Sequence, residues 1–242
     1  MRILTILQAR ISSTRLPGKV MKPLLGEPMM ARQIERLRRA GRIGDLVVAT
    51  SVEPGDDVVA ACAEQLGCLA FRGSLTDVLA RYAGALERHG PADHVVRVTA
   101  DCPLADWRVI DQVIERHLAE GADYTSNTVE RTYAKGLDVE IVRAPLLLEA
   151  AREAQDSYER EHVTPFFYFR PERFRILQVT QGVDQNLWRW TVDTSADFAF
   201  TRSVYEALYP ARPDFLSEDI AACPGATRTD PDDPGVPSTE SP

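Results

Sequence analysis

Short apolar runs alternate with stretches of helical spacing through the first half of this chain. Ile3-Leu4-Thr5-Ile6-Leu7 is apolar nearly throughout, the pattern of a strand covered on both faces. Met30, Ile34 and Leu37 recur at helical intervals and predict a helix over about residues 28–40. Residues 46–50 read as a second buried strand. Asp56-Asp57 then opens a helix through Val58, Val59, Cys62 and Leu66, its acids lying at the positive end of the helix dipole. A short strand over 68–71 follows, then a helix over 76–89 that turns Val78, Leu79, Tyr82 and Leu86 to one side. Residues 95–99 form another apolar strand and 106–120 another helix. This rhythm predicts an α/β fold with a largely parallel, doubly wound sheet.

Beyond about Gly121 the rhythm loosens. Residues 124–127 and 137–142 read as strands, 145–155 and 158–168 as helices, the second disturbed by Pro165. A strand over 188–192 precedes Thr194-Ser195-Ala196-Asp197, which has capping-box form with Asp in place of the commoner Glu and starts a helix to about Leu208. From Pro224 onward there is almost no apolar side chain, so residues 223–242 are expected to be a disordered tail. Residues 1–222 are expected to form a single domain, long enough for a substantial core.

Charge sharpens this picture. The 242-residue chain has a net charge of -8, yet residues 1–26 contain no Asp or Glu and carry Arg2, Arg10, Arg15, Lys19 and Lys22. The first strand runs straight into Gln8-Ala9-Arg10-Ile11-Ser12-Ser13-Thr14-Arg15-Leu16-Pro17-Gly18-Lys19. A cationic loop therefore sits at the carboxyl end of a strand, where open α/β sheets bind ligands. Pro17 and Gly18 shape a turn that can aim backbone N–H groups inward. Such a loop in an acidic protein suits a small polyanion such as a triphosphate; the alternative is a solvated basic loop. The acidic balance argues against a general nucleic-acid binder, which needs a basic face. No apolar stretch has spanning length, and the N-terminal region lacks a signal-peptide core, so no membrane partner is expected. Cys62, Cys68, Cys102 and Cys223 show no Cys-x-x-Cys pair and no metal spacing, and fit free thiols in a reducing cytoplasm.

Three further clusters carry chemistry. Asp101 follows the 95–99 strand in Thr99-Ala100-Asp101-Cys102-Pro103-Leu104, next to the basic loop in a parallel sheet. There it either holds Mg²⁺ together with substrate phosphates or caps the next helix, for which Asp106 is the better placed residue. Cys102 reads as a small wall residue. Asp193, in Trp190-Thr191-Val192-Asp193-Thr194, is either a second carboxylate for the same ion or a surface turn residue. Asp138 and Glu140, in Lys135-Gly136-Leu137-Asp138-Val139-Glu140, share one face of the expected 137–142 strand and either grip an acceptor or lie at a solvated edge. His162, beside Glu161, either orients an acceptor, acts as a base or is structural.

These residues resemble a known family. Gln8-Ala9-Arg10 with Ser13-Thr14-Arg15-Leu16-Pro17-Gly18-Lys19 looks like the nucleotide-binding loop of the CMP-sugar synthetases, or cytidylyltransferases. The branch it resembles most is that of spore coat polysaccharide biosynthesis protein F, related to the 3-deoxy-manno-octulosonate and acylneuraminate cytidylyltransferases. The likeness continues, in order over about residues 1–210, through Arg72-Gly73-Ser74, Asp77-Val78-Leu79-Ala80-Arg81-Tyr82 and Thr99-Ala100-Asp101-Cys102-Pro103-Leu104. It runs on through Ser126-Asn127-Thr128, Gly136-Leu137-Asp138-Val139-Glu140, Glu161-His162-Val163-Thr164-Pro165 and Arg189-Trp190-Thr191-Val192-Asp193-Thr194. The resemblance implies a Rossmann-like nucleotidyltransferase fold and attack of an acceptor on the α-phosphorus of CTP, with release of pyrophosphate. It implies that Arg10, Arg15 and Lys19 bind the triphosphate, with Gln8, Ala9, Ser13, Gly18, Thr50, Gly73, Ser74 and Asp77 around the nucleotide. Asp101 and Asp193 match metal positions, for Mg²⁺ or Mn²⁺, and Asp138, Glu140, His162 and Asn127 are the expected acceptor residues. A homodimer is implied through an insertion over about 133–178, which contains Phe166, Phe167, Tyr168 and Phe169. Where the octulosonate enzymes carry Asp-Glu-Pro this chain has Asp101-Cys102-Pro103, so the acceptor, a small acidic or phosphorylated sugar-like molecule, is not named by the likeness.

Two other functions are consistent with a nucleotide-binding sheet. A glycosyltransferase would consume a nucleotide sugar, but the plain Asp-x-Asp here, Asp230-Pro231-Asp232, falls in the expected tail. A non-catalytic nucleotide-binding protein has no need to keep Asp101, Asp193 and Lys19 together.

Overall fold

The computed structural model describes residues 1–229. Its strands are β1 (Ile3–Gln8), β2 (Pro23–Leu24), β3 (Glu27–Pro28), β4 (Asp45–Ser51), β5 (Leu69–Gly73), β6 (His94–Thr99), β7 (Tyr124–Ser126), β8 (Glu140–Arg143) and β9 (Ile176–Gln178). The helices are α1 (Met29–Leu37), α2 (Asp57–Gln65), α3 (Val78–His89), α4 (Trp107–Glu120), α5 (Ala144–Glu153), α6 (Ser157–His162), α7 (Pro165–Tyr168), α8 (Ser195–Leu208) and α9 (Ser217–Ala221). Seven strands form one sheet in the order β5-β4-β1-β6-β8-β7-β9, and β2 and β3 form a small hairpin. The pairs β5–β4, β4–β1 and β1–β6 are parallel, whereas β8 runs antiparallel to both β6 and β7. The expected mostly parallel, helix-flanked sheet is present.

Alternation along β1 explains why both faces are covered. Leu4 and Ile6 point to the side of α3 and α5, where Val47, Leu79, Tyr82, Val95, Leu147 and Phe167 complete one core. Ile3 and Leu7 point to the side of α1, α2 and α4, against Ile34, Val48, Val59, Val96 and Ile110. A third cluster, built on Leu16, Met29, Trp190, Val192, Tyr205 and Phe215, lies beneath α8 and α9 and supports the carboxyl-end loops from the side. Parallel register brings Gln8 opposite both Ala49 and Thr99, so the loops after β1, β4 and β6 leave the sheet together.

Four local expectations need correction. The 188–192 segment is not a strand. Lys135 N–H donates to Trp188 O and Trp190 N–H to Lys135 O, but the neighbouring chain turns away at Gly136, φ 110°, leaving one isolated bridge. The 137–142 strand begins only at Glu140, because the Asn127 side chain takes the backbone instead: its Nδ2 donates to Leu137 O at 2.7 Å and its Oδ1 accepts from Val139 N–H at 2.9 Å. Asp138 and Glu140 therefore do not share a strand face. The 158–168 helix is two short helices, α6 and α7, separated at Val163, whose φ is 72°. Pro165 opens α7, where its missing N–H has no intrahelical acceptor to satisfy. Of the aromatic run, Phe166 and Phe167 are buried, and Phe169 is exposed. Part of the expected tail is also packed: Ala226 is buried, and its carbonyl accepts from Trp190 Nε1 at 2.8 Å. The rest of that tail, 230–242 with Asp230-Pro231-Asp232, lies outside the described residues.

At the opposite end of the sheet from those loops, His94 Nδ1 lies 3.0 Å from His117 Nε2, and His117 Nδ1 lies 2.8 Å from Thr125 Oγ1. Burial, with His94 beside it, pushes His117 down to about 4, so the fold holds it neutral while an unfolded chain protonates it near 6.5. Stability from this group is fully present above pH 6.5 and is lost as pH falls toward 4, by about 2 kcal/mol. Urea unfolding at pH 7 and pH 4.5 should show that loss, and His117→Gln should flatten it. A pH slope unchanged by the substitution would remove His117 as its source.

Candidate active site

The loop after β1 is held open by its own sequence. Asp56, buried in the turn between β4 and α2, accepts from Ile11 N–H at 2.6 Å and from Ser51 N–H at 3.1 Å, tying the loop to the neighbouring strand. Leu16 anchors its far side in the third core. Gly18 closes it with φ 70°, a left-handed conformation that costs glycine little, and its N–H donates to Ile11 O at 3.0 Å. Lys19 follows at once and is delivered inward.

The resulting cleft, of about 210 Å³, is lined by Gln8, Ala9, Arg10, Ser13, Arg15 and Lys19 on one side and by Thr99, Asp101 and Asp193 on the other. Lys19 Nζ is its centre: 3.2 Å from Asp101 Oδ2, 2.9 Å from Asp193 Oδ1 and 2.8 Å from the Val192 carbonyl. Burial alone would discharge this lysine, but Asp101 and Asp193 outweigh it and raise its pKa, so it is an ammonium. Burial would likewise raise Asp101, and Lys19 reverses the sign and holds it below the usual carboxylate range. Asp106, not Asp101, caps α4, accepting from Arg108 N–H at 2.8 Å. Burial drives the Cys102 thiol well up, as a wall residue and not a nucleophile requires.

Asp193 is fixed from behind by the first residue of its own motif, to which the sequence gives no role. Arg189 NH2 donates to Asp193 Oδ2 at 2.9 Å, and Arg189 Nε donates to Asp197 Oδ1 at 3.1 Å. Burial would raise Asp197, but Arg189 and the backbone N–H groups of Asp193 and Thr194 hold it at about 2. The expected capping box of α8, Thr194 with Asp197, is formed and anchors this corner. Arg189 is spaced four residues from Asp193 and eight from Asp197, but such spacing is not by itself a signal.

Not every expected nucleotide residue reaches the cleft. Thr50 is buried within β4, and Gly73 ends β5, where a Cβ would meet Arg81 Cγ and Phe71 Cε1 at 3.1 Å. Ser74 accepts from Asp77 N–H at 3.0 Å. Asp77 caps α3 and pairs with Arg160 at 2.6 Å, so its carboxylate is already engaged.

A second cavity, of about 190 Å³, adjoins the first at Thr99 and contains Asp138, Glu140 and His162. Its other walls include Arg97, Arg131 and Tyr158, which the sequence pattern did not mark, and Tyr168, which belongs to the aromatic run of the expected dimer segment. Both carboxylates are occupied. Arg131 grips Asp138 with two bonds, 2.6 and 3.1 Å, while Arg97 and the Tyr124 hydroxyl donate to the two oxygens of Glu140. Asn127 is absent from the cavity wall, its amide being spent on the Leu137–Val139 backbone.

The donor set fits a hard divalent cation. Asp101 Oδ2 and Asp193 Oδ1 converge on Lys19 Nζ, and among the described residues no group of three or more His, Cys, Asp or Glu is placed to hold a metal, so these two carboxylates would need further oxygen ligands from elsewhere. Mg²⁺ is commonly held in this way, by one or two carboxylates with phosphate oxygens and water completing the shell. No helix among the described residues is long and apolar enough to cross a membrane.

Residues 4–207 match the family model described as cytidylyltransferase. Spore coat polysaccharide biosynthesis protein SpsF of Bacillus subtilis is 32% identical over 225 residues, covering 90% of this chain and 92% of that protein. The structure of a cytidylyltransferase from Leptospira borgpetersenii superposes with a TM-score of 0.85 at 32% identity, covering 91% of this chain and 92% of that one. CMP:2-keto-3-deoxy-manno-octonic acid synthetase, solved in complex with CTP, has the same fold, with a TM-score of 0.64 at 15% identity over 85% of this chain and 99% of that one.

Proposed function

Since the chain belongs to the cytidylyltransferase family, we propose that it transfers CMP from CTP to a small acidic, sugar-like acceptor and releases pyrophosphate, in surface polysaccharide or glycoconjugate biosynthesis. The observation that carries this reading is the convergence of Lys19, Asp101 and Asp193 in a cationic cleft that shares Thr99 with a second polar cavity.

Arg10, Arg15 and Lys19 hold the triphosphate, and the second cavity holds the acceptor, with His162 orienting it. Its hydroxyl oxygen bonds to the α-phosphorus as the bond from that phosphorus to the pyrophosphate oxygen breaks, and the hydroxyl proton passes to water. Asp101 and Asp193 would hold a divalent ion, Mg²⁺ or Mn²⁺, that supplies neutralisation of charge at phosphorus. Lys19 and the two arginines stabilise the charge that moves onto the leaving pyrophosphate, so the protein's work is positioning and electrostatics. The Asn127 amide and the Arg97–Glu140 pair keep the acceptor walls rigid.

Pyrophosphate release, measured with Mg²⁺, each of the four NTPs and pooled sugar acids and phosphorylated small molecules, tests the reading. A signal with CTP and one pool is expected. Absence of CTP binding, or glycosyl transfer from a nucleotide sugar without pyrophosphate, would overturn it.

A further inference from the structure

The cations assigned to the triphosphate and the carboxylates assigned to the metal are paired with each other. Lys19 Nζ bridges Asp101 Oδ2 and Asp193 Oδ1, and Arg15 NH2 lies 3.1 Å from that same Asp193 Oδ1. We propose that Lys19 and Arg15 are internal counter-ions that keep the Asp101–Asp193 pair closed to free divalent metal, and that a triphosphate opens it by drawing both cations onto its own oxygens. Nucleotide and metal then enter as a unit. This rests on the assignment of the cleft made above.

Three features support it. A divalent ion bound between the two carboxylates needs the oxygens that the ammonium holds, and the two positive centres repel strongly at such separations. Release is asymmetric. The Arg15 side chain is 59% exposed on a loop and Lys19 sits on a long, flexible stem, whereas Arg189, 6% exposed, holds the other oxygen of Asp193 and is itself locked to Asp197. Asp193 therefore keeps its orientation while its inner oxygen exchanges one cation for another. Finally, the protein offers two carboxylates and no third anionic or imidazole ligand among the described residues, so phosphate oxygens complete the shell only after they arrive.

An incomplete ligand shell alone would also make metal binding depend on nucleotide, and the lysine separates the two explanations. Mn²⁺ binding is followed by electron paramagnetic resonance, without nucleotide and with CTP in the absence of acceptor. Lys19→Met, which keeps the aliphatic stem, should bind free Mn²⁺ about tenfold tighter than the parent protein, and Arg15→Ala should shift in the same direction by less. Adding Asp193→Asn to Lys19→Met should abolish the gain. Thermal unfolding checks that each variant is folded, and Arg15→Ala, altered at an exposed position, remains informative if Lys19→Met is not. Free-metal affinity unchanged in both variants would overturn the counter-ion role. If Asp101→Asn and Asp193→Asn leave Mn²⁺ binding in the CTP complex intact, the carboxylate assignment itself falls; loss there with no gain in Lys19→Met sinks only the gating.

Discussion

Asp193→Asn is expected to lower kcat/KM for pyrophosphate release by about 10²–10³-fold, the size of effect that follows loss of one key electrostatic contact at the reacting centre. Asp101→Asn should do the same. The reason is geometric. Asp193 is the meeting point of Lys19 and Arg15 on one oxygen and Arg189 on the other, and among the described residues Asp101 is the other carboxylate paired with Lys19. Asparagine keeps the shape but not the charge. Arg189 retains Asp197, so the corner should still fold and the melting temperature should shift by only a few degrees. Turnover near that of the parent protein, with the acceptor found by the pyrophosphate assay, would move metal and phosphate chemistry elsewhere.

A larger structural effect is expected from a residue that touches no substrate. Gly136→Ala should destabilise the protein by about 2–4 kcal/mol and lower activity with it. Gly136 has φ 110°, where a side chain is strained, and a Cβ there would lie 2.7 Å from Thr191 N and 2.8 Å from Trp190 C, both backbone atoms. That backbone cannot retreat cheaply. Trp190 is fully buried, its indole donates to Ala226 O, and the segment is pinned by Trp190 N–H to Lys135 O and Val192 N–H to Asp101 O. Any displacement therefore reaches Asp193, three residues beyond Trp190. Gly182→Ala, where nothing lies within 4 Å of the added Cβ, is the control and should be close to neutral. Chemical denaturation of the two variants decides it: equal midpoints would mean that the 135–138 turn yields without cost.

The Lys135–Glu140 motif stands out in the sequence for its carboxylates, but its glycine does the structural work. Asp138 and Glu140 are legible as two carboxylates in one short motif. Their availability is not, because the Arg97–Glu140 pair exists only through the antiparallel register that sets β8 against β6. Nothing within seven residues of Glu140 announces Arg97, 43 positions earlier. The same holds for Asp77, which reads as a nucleotide residue yet meets Arg160 across 83 positions when α6 packs on α3.

Local pattern alone determined the alternation of buried strands and amphipathic helices, the cationic turn closed by Gly18, the α8 capping box and the presence of Asp101 at a strand end. These depend on side-chain period, turn chemistry and hydrogen bonds between near neighbours, which a linear sequence carries. Only the tertiary structure decided that Lys19 lies between Asp101 and Asp193, that Arg189 fixes Asp193 and that Asp138 and Glu140 are each held by an arginine. Those pairings join groups up to 174 residues apart. Their energies depend on burial and on distances of a few ångströms, which strand register and packing create and no local pattern encodes.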